Sequence, residues 1–236
     1  MRLQNPLVSV VLAVKNGERF LAAAIDSVLA QDYRPFEIVL VDGQSTDRTR
    51  EIAHSFSEVR YVRQIGSGIA DGRNLGIACS QGDLIAFHSD DDLWTPDKLS
   101  VQARYMCAHP EVLYTIAHAR FFLEPGCSLP PSFRQELLQG EHVAPMPETL
   151  VVRRSAFDRV GFFDCGMLDC DDVDWFARAR ENEIPMAVMP QVLLYKRVHD
   201  SNVSLRKDNP PNLFLALRQS IHRKRNLSRS DPGKTQ

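Results

Sequence analysis

Acidic side chains follow two predicted strands at the point where each strand ends. Asp42 comes directly after the apolar run FEIVLV, and Asp90, Asp91 and Asp92 follow LIAFHS. Adjacent carboxylates raise one another's pKa unless a cation or hydrogen-bond donors compensate. Oxygen ligands of this kind select Mg²⁺ or Mn²⁺ rather than zinc, and these ions complete their shell with phosphates and water. The triplet therefore predicts a site for a divalent cation on a phosphorylated ligand, with helix capping and loop solvation as the alternative.

A second group of acids stands at the start of a predicted helix. Asp169, Asp171, Asp172 and Asp174 precede or open the helix predicted at 171–181. Acids in a first helical turn commonly complement the helix dipole, which stabilises the helix by about 0.3–1 kcal/mol. The alternative is that one of them accepts a proton from a substrate. The helix pattern alone favours the dipole explanation.

The first hundred residues alternate apolar runs with amphipathic ones, the pattern of a parallel sheet with crossover helices. Strands are predicted at 8–14, 36–41, 59–63 and 84–87. Helices are predicted at 18–31, through 52–56 and at 70–80. The second of these helices has Ser45, Thr46 or Asp47 as its candidate cap. Ligands of open α/β sheets collect beyond the carboxyl ends of the strands. The acids that follow the strands therefore stand where a binding site is expected.

The second hundred residues are less regular. Thr95 is a candidate N-cap with Pro96 at the first helical position of a helix through 99–106. Strands are predicted at 114–123, 149–153 and 192–198, a loop with a short helix at 125–147, and an amphipathic helix with a basic face at 213–227. The predicted fold class is α/β, with a mostly parallel nucleotide-binding sheet flanked by helices and a less regular second half.

Length and composition restrict the class of protein. The chain has 236 residues, 44% apolar and 25% charged, which are ordinary values for a folded globular protein. The net charge of −2 gives no chain-wide field for nucleic acid, although six basic residues against one acid follow from Arg218 onward. Five scattered cysteines without a C-x-x-C pair indicate neither a disulfide framework nor a zinc site. Without an apolar run near the ~18 residues of a membrane span, we expect a cytoplasmic protein that binds no nucleic acid.

An ordered series of sequence strings resembles one enzyme family. VSVVLAVKNGERFLAAAIDSVLAQ, FEIVLVDGQSTDRT, GIADGRNLGI and GDLIAFHSDDDLWTPDKL resemble the nucleotide-sugar half of the family 2 glycosyltransferases, which have the GT-A fold. RRSAFDRVGFFD, CDDVDWFARA and YKRVHDSNVS continue the resemblance in the family's order, over about residues 7–205. It implies one GT-A domain at 1–210, with a nucleotide-sugar half at 1–95 and an acceptor half at 96–210. A C-terminal amphipathic helix and basic tail follow at 211–236.

The resemblance implies nucleotide contacts at the ends of the first two strands. The family's VDDGSTD string contacts the base and ribose, and here the string is VDGQSTD. Asp42 matches the first aspartate of that string, whereas Gly43 replaces the second. Val14 and Lys15 stand where Thr and Tyr are frequent, so contacts near Val14 would come from the backbone or from other residues.

The resemblance also implies a metal–diphosphate site. Asp91 matches the family's metal-binding aspartate, and Asp90 beside it faces the ribose or the same ion. The ion would be Mn²⁺ or Mg²⁺, which neutralises charge on the leaving nucleoside diphosphate. Arg73 matches an arginine that approaches the nucleotide or holds the acidic loop, with a structural salt bridge as the alternative. His199 matches a histidine that can reach the metal or the diphosphate, with a purely structural histidine as the alternative.

The family's Glu-Asp pair corresponds to Asp171 and Asp172, with Asp in place of Glu at 171. The match implies that Asp172 is the general base. A transfer that inverts the anomeric centre in one displacement needs a carboxylate to take the proton of the acceptor hydroxyl. Trp94 and Trp175 stand beside the two acidic groups, where each can stack on a sugar or belong to the core.

The resemblance as a whole implies an inverting, metal-dependent transfer of a sugar from a nucleotide-diphosphate-sugar to an acceptor hydroxyl, in cell-surface polysaccharide or glycolipid synthesis. A UDP-sugar ranks first as donor, and a glycan or lipid-linked molecule is the expected acceptor. The basic C-terminus suggests peripheral contact with the inner face of the membrane, since each basic residue near an anionic surface contributes about 1 kcal/mol. A solvated tail is the alternative, and a homodimer is a further partner to consider.

Two other functions stay open at this point. A nucleotidyltransferase shares the α/β half and the acidic ligands, but the loop after the first strand, KNGE, lacks the glycine-rich basic sequence that holds a triphosphate. A non-catalytic binding module of degenerate transferase type is supported only by Gly43 and Asp171.

Overall fold

The computed structural model describes residues 5–131, 133–167, 170–202, 218–221 and 223. Four parallel strands open the chain: β1 (Val8–Val14), β2 (Phe36–Asp42), β3 (Val59–Arg63) and β4 (Leu84–His88). They are connected by α1 (Leu21–Leu29), α2 (Thr49–Ser55) and α3 (Ile69–Cys79). Val14 lies opposite Asp42, and Leu12 lies opposite His88. The carboxyl ends of β1, β2 and β4 therefore meet at one edge of the sheet, as the alternating pattern predicts.

The second half extends this sheet beyond β4. Its elements are β5 (Leu93–Trp94), α4 (Lys98–Ala108), β6 (Tyr114–Leu123), β7 (His142–Val143), β8 (Val151–Arg153), α5 (Ala156–Val160), α6 (Asp171–Glu181) and β9 (Met186–Val198), with 3₁₀ turns at Gln135–Leu138 and Pro147–Thr149. The described residues form one sheet in the order β3-β2-β1-β4-β8-β6-β9-β5, with β7 paired to β6. Because β8 runs antiparallel to both β4 and β6, the sheet is mixed. The expected α/β class with a parallel half and a less regular half is confirmed.

The two faces of the sheet carry separate apolar clusters. Val10 and Leu12 of β1 pack on one face with Ile25 of α1. Val11 lies on the other face with Trp175 of α6. Because strand side chains alternate between faces, a nearly continuous apolar run such as β1 indicates a strand covered on both sides.

Helix α3 packs unusually close to β1. A Cβ atom added at Gly76 would lie 2.2 Å from Cγ1 of Val11, and one at Gly72 would lie 3.2 Å from Cβ of Ala13. Only glycine leaves room for a backbone approach of this kind. The close contact places Arg73, between these two glycines, over the carboxyl end of the strand.

Helix α4 begins later than predicted. Thr95 and Pro96 were expected to cap and open it, but the first helical residue is Lys98 and the N-cap is Asp97. The Thr95 amide donates to the Leu193 carbonyl (3.3 Å), and the Pro96 carbonyl accepts from the Asp32 amide (2.9 Å). These bonds connect residues 95 and 96 to β9 and to the chain after α1, so the helix begins only beyond them.

Strand β9 begins six residues before the predicted start at Val192. Met186–Met189 pair with Tyr114–Ala117 of β6, and the register shifts where Pro190 enters the strand. Proline lacks the N–H that a ladder needs, and a β-bulge accommodates it. The strand predicted at 149–153 is shorter, because Thr149 belongs to the 3₁₀ turn.

The amphipathic helix predicted at 213–227 lies largely outside the described residues. Residues 218–221 and 223 are helical. No helix in the described ranges combines the length and apolar character that crossing a bilayer requires.

The contact between α3 and β1 can be tested with Gly76→Ala. The added methyl group would overlap Val11, and overpacking of this kind costs about 1–3 kcal/mol. We expect the free energy of unfolding, measured by urea denaturation, to fall by that amount. Ala78→Gln adds atoms on the exposed side of the same helix and should change it by less than about 0.5 kcal/mol. Equal effects of the two substitutions would contradict the close packing.

Candidate functional site

A crevice opens at the carboxyl ends of β1 and β4. Its lining includes Ala13 of β1, Arg73 of α3, Ser89 after β4, and Glu148 of the 3₁₀ turn. It therefore lies at the sheet edge where the sequence predicts a binding site.

Asp91 is held by three side chains at the mouth of this crevice. Ser89 Oγ donates to Asp91 Oδ1 (2.6 Å), and Asn202 Nδ2 donates to Asp91 Oδ2 (3.1 Å). His199 Nε2 lies 3.2 Å from the same Oδ2, while its Nδ1 accepts from the Ser201 amide (3.2 Å). Because Nδ1 accepts, the ring proton is on Nε2 and is donated to Asp91. Burial raises the pKa of Asp91, but the Lys196 ammonium and these hydrogen bonds outweigh it and hold that pKa below its usual value.

Asp90 is the carboxylate of the acidic loop without an ion-pair partner among the described residues. Burial and the neighbouring Asp91 raise the pKa of Asp90 to about 7. In the described part of the chain no lysine, arginine or histidine forms an ion pair with it. The loop after β1 packs directly on it, since a Cβ at Gly17 would lie 2.6 Å from Asp90 Oδ2. A bound cation would supply the charge compensation that Asp90 lacks.

Asp92 has a structural role. It is fully buried and accepts from Lys196 Nζ (2.8 Å) and from the Arg197 amide (3.0 Å). Burial lowers the pKa of Lys196, but Asp92, Glu148 and Asp91 together hold it well above its ordinary value, so the lysine stays charged. The carboxylate thereby fastens the acidic loop to β9.

Arg197 supports the same loop from the next position of β9. Its Nε donates to the Asp91 carbonyl (2.8 Å), and its guanidinium pairs with Glu124. The guanidinium carbon lies between the rings of Phe20 and Phe122, 4.6 and 4.8 Å from their centroids. Cation–π contact and a charge-assisted bond thus fix the backbone of Asp91.

Asp42 and Val14 lie where the first two strands end, and both are buried. Asp42 accepts from the Ser45 amide (2.9 Å) and from the Tyr61 hydroxyl (2.6 Å). Burial and Asp42 raise the pKa of Tyr61 to about 12. The Val14 carbonyl accepts from the Gly43 amide (2.7 Å). Their contacts in the structure are to the protein, and their roles toward a nucleotide stay predictions.

The acids at the start of α6 differ in their partners. Asp171 pairs with Arg73 (2.6 Å), and Asp174 pairs with Arg178 (2.7 Å) and Arg223 (2.9 Å). Among the described acids of this turn, Asp172 forms no ion pair; its Oδ1 accepts from the Val173 amide (2.8 Å). Burial raises the pKa of Asp172, and Arg73 opposes the increase. Asp169, the fourth acid of the predicted group, lies outside the described residues.

The crevice connects the two acidic groups. Arg73 lines it and pairs with Asp171, next to Asp172, while Ser89 lines it and bonds to Asp91. Burial raises the pKa of both Asp172 and Asp92, and the charge of Glu148 adds to both increases. The structure thus brings Arg73, Asp90, Asp91, His199 and Asp172 to one region.

The two tryptophans belong to the core. Trp94 and Trp175 are 4% and 0% exposed, and their Nε1 groups donate to the carbonyls of Glu148 (3.0 Å) and Gly161 (3.1 Å). Neither ring is therefore free to stack on a sugar, which the sequence had left open.

Three residues of the site were missed in the sequence. Arg197 is the first residue of the R-x-H string, where only His199 was singled out. Asn202 stands three residues beyond His199, within the same string. Glu148 carries no local signal, because it stands between an irregular loop and a short strand.

The donor set fits a cation that takes few protein ligands. No group of three metal-binding side chains forms among the residues described. Asp91 and Asp90 offer hard oxygen atoms, which suits Mg²⁺ or Mn²⁺ bound by one or two carboxylates and completed by substrate phosphate.

Fold and site define an α/β protein with an acidic, cation-compatible crevice at the carboxyl ends of its strands. Residues 9–160 match the family model for glycosyl transferase family 2. This chain belongs to that family.

Relatives and solved structures agree with the assignment. An uncharacterized glycosyltransferase of Rickettsia typhi is 28% identical over 218 residues, covering 85% of this chain and 66% of the relative. The Escherichia coli UDP-Glc:alpha-D-GlcNAc-diphosphoundecaprenol beta-1,3-glucosyltransferase WfgD is 35% identical over 107 residues, covering 44% of this chain and 42% of WfgD.

Two solved structures share the fold. Staphylococcus aureus TarS 1-349 in complex with UDP-GlcNAc superposes with a TM-score of 0.73 at 20% identity, over 90% of this chain and 65% of that one. The mannosyltransferase PcManGT of Pyrobaculum calidifontis, in complex with GDP-Man and Mn²⁺, gives 0.61 at 20% identity, over 81% and 57%. The expected GT-A fold is confirmed, and the chain spans about two thirds of the length of its Rickettsia relative.

Arg197→Met tests the support of the acidic loop. The substitution leaves Glu124 without its partner and the Asp91 carbonyl without a donor, so we expect the free energy of unfolding to fall by about 3–5 kcal/mol. Chemical denaturation measures the loss. Arg48→Met, in an exposed pair with Glu51, should change it by less than about 1 kcal/mol. A loss of similar size in both variants would show that the Arg197 contacts contribute little.

Proposed function

We propose that this protein transfers a sugar, with inversion, from a UDP-sugar to an acceptor hydroxyl in the synthesis of a surface polysaccharide or glycolipid. The observation that carries the proposal is the position of Asp172. It is an acid of α6 without an ion-pair partner among the described residues, and it adjoins the crevice that also reaches the acidic loop. Membership of glycosyl transferase family 2 supports the reaction class.

Asp172 acts as the general base. Its carboxylate takes the proton of the acceptor hydroxyl while the acceptor oxygen forms a bond to the anomeric carbon and the bond from that carbon to the diphosphate breaks. A single displacement of this kind inverts the anomeric centre. Asp171 is less suited to be the base, because its carboxylate already forms an ion pair with Arg73.

Asp91, with Asp90 beside it, holds Mn²⁺ or Mg²⁺ together with the diphosphate. Such an ion neutralises charge that develops on the leaving nucleoside diphosphate. The unpaired Asp90 supports this assignment, as does the Mn²⁺ bound to PcManGT. His199 positions Asp91 through its Nε2–H, and direct binding of a metal by that nitrogen would require it to release Asp91.

The donor nucleotide lies at the ends of β1 and β2. Asp42 and Val14 shape this end of the site, Asp42 by holding the loop after β2 and Val14 through its backbone. A UDP-sugar is the first choice because the names of WfgD and of the TarS complex include UDP-Glc and UDP-GlcNAc. Arg73 orients the α6 acids and presents its remaining N–H groups to the crevice.

The acceptor is a glycan or a lipid-linked molecule. WfgD acts on a diphosphoundecaprenol-linked sugar, by its name. Peripheral contact with a membrane would use the basic residues of the C-terminus. Arg223 is not one of them, because it pairs with Asp174 and Glu181.

Asp172→Asn and Asp91→Asn separate the two roles. Loss of the base should slow transfer about 10²- to 10⁴-fold and leave the affinity for UDP with Mn²⁺ unchanged. Asp91→Asn should weaken UDP binding when Mn²⁺ is present and have little effect without it. Transfer of radiolabelled sugar and isothermal titration with UDP measure the two quantities.

Asp158→Asn, an exposed aspartate of α5, is the matched control and should behave like the wild type in both assays. Transfer at the wild-type rate by Asp172→Asn would refute the base assignment. The absence of UDP binding to the wild type would favour the non-catalytic alternative.

The pH profile of kcat/KM gives a second test. Asp172 must be ionised, so the rate should rise with pH through the pKa of Asp172, which burial raises, Arg73 lowers and Glu148 raises. Arg73→Met should therefore move this acidic limb to higher pH, and Glu148→Gln should move it to lower pH. Initial rates for each variant, normalised to its own plateau, measure the position of the limb. Shifts in the same direction for both variants would contradict the assignment.

A further inference from the structure

Glu148 is held rigidly beside the crevice. It lies in the middle of the 3₁₀ turn Pro147–Thr149 and is 8% exposed. Its carbonyl accepts from Trp94 Nε1 (3.0 Å), and the next carbonyl, of Thr149, accepts from Gln102 Nε2 (2.9 Å). These bonds fix the backbone on both sides of the residue and keep its side chain in the crevice lining.

No side chain or amide among the described residues donates a hydrogen bond to the Glu148 carboxylate. This sets it apart from Asp92 and Asp171, each of which has a cationic partner. The charge of Glu148 acts on two buried lysines, Lys98 and Lys196, but neither donates a hydrogen bond to it. Lys98 donates to Gln102 (2.5 Å), and Lys196 donates to Asp92 (2.8 Å). The Glu148 oxygens are not among the enclosed polar atoms that lack a partner in the described chain, so the carboxylate opens to the crevice and is free to accept a hydrogen bond there.

Donors for this carboxylate can therefore come from a molecule that enters the crevice. The crevice wall that holds Glu148 also holds Ser89, which bonds the proposed metal ligand Asp91, and Arg73, which pairs beside the proposed base. In the proposed reaction, the group between the diphosphate and the base is the sugar to be transferred. Sugar hydroxyls are hydrogen-bond donors, and a carboxylate is a strong acceptor for them.

We infer that Glu148 accepts hydrogen bonds from the hydroxyl groups of the transferred sugar and restricts the donor to neutral hexoses, excluding uronic acids. The inference rests on the proposed function, because it assigns the crevice to the donor sugar. A uronic acid would bring another carboxylate into a crevice that Glu148 lines, next to the segments that carry Asp91 and Asp172. Like charges in a poorly solvated site repel strongly.

The test compares two donors that differ only at C6. Isothermal titration of the full chain with Mn²⁺ measures dissociation constants for UDP, UDP-glucose and UDP-glucuronic acid. The wild type should bind UDP-glucose about 10-fold or more tightly than UDP-glucuronic acid. Glu148→Gln should weaken UDP-glucose binding about 10-fold, bring the two sugars within about threefold of each other, and leave UDP binding within about twofold.

Glu111→Gln is the matched control, because Glu111 is exposed and pairs only with His109 in the described chain; it should keep the wild-type preference. If Glu148 serves only to support buried Lys98, Glu148→Gln will lower the Tm and weaken UDP and UDP-glucose equally, which overturns the inference. The wild-type comparison needs no variant and decides against the inference if the two sugars bind alike. If UDP and both sugars fail to bind at all, the proposed donor class is wrong and the inference falls with it.

Discussion

The acidic loop after β4 depends on the buried ion pair between Asp92 and Lys196. Asp92 is fully enclosed, and the lysine that neutralises it comes from β9, more than a hundred residues later in the chain. Arg197 adds a bond to the Asp91 carbonyl, and His199 and Asn202 reach the Asp91 carboxylate from the segment that follows β9. The first half of the chain therefore contributes the acids of this loop, and the end of the second half fixes where they point. Because an uncompensated charge inside a protein is costly, loss of either partner affects the whole loop.

Helix α3 fixes the position of the second acidic group, at the start of α6. Its glycines let it lie directly on β1, and the residues between them face the segment that leads to α6. Asn74 exchanges two hydrogen bonds with the backbone of Phe163 (2.8 and 3.0 Å), and Arg73 pairs with Asp171. Two adjacent side chains thus connect α3 to the start of α6. Asp171 and Asp174 are both paired, so among the described acids of that turn Asp172 is the one without an ion-pair partner.

The sequence was sufficient for the parallel half and for the location of the acids, because both follow from local patterns. Mostly apolar runs of four to seven residues predicted β1 to β4 closely, and carboxylates after strands predicted the edge where the candidate site lies. The start of α4 was predicted wrongly because bonds from Thr95 and Pro96 to distant segments outweigh the local capping signal. Pro190 hid the first part of β9, since a bulge that tolerates proline depends on the partner strand β6. Arg197 and Glu148 were missed because their importance comes from contacts across the fold, which no local pattern records.

The same bulge has a consequence for self-association. In the described chain, β9 pairs with β6 along its length, while β5 covers its other side only at Leu194 and Tyr195. Met186 and Val188, both partly exposed, thus lie on a strand whose outer backbone groups have no strand beside them. Unpaired strands of this kind can recruit another chain and initiate aggregation. Pro190 has no N–H to offer a pairing strand, and the bulge beside it breaks the regular ladder, so this border of the sheet is a poorer template for another chain.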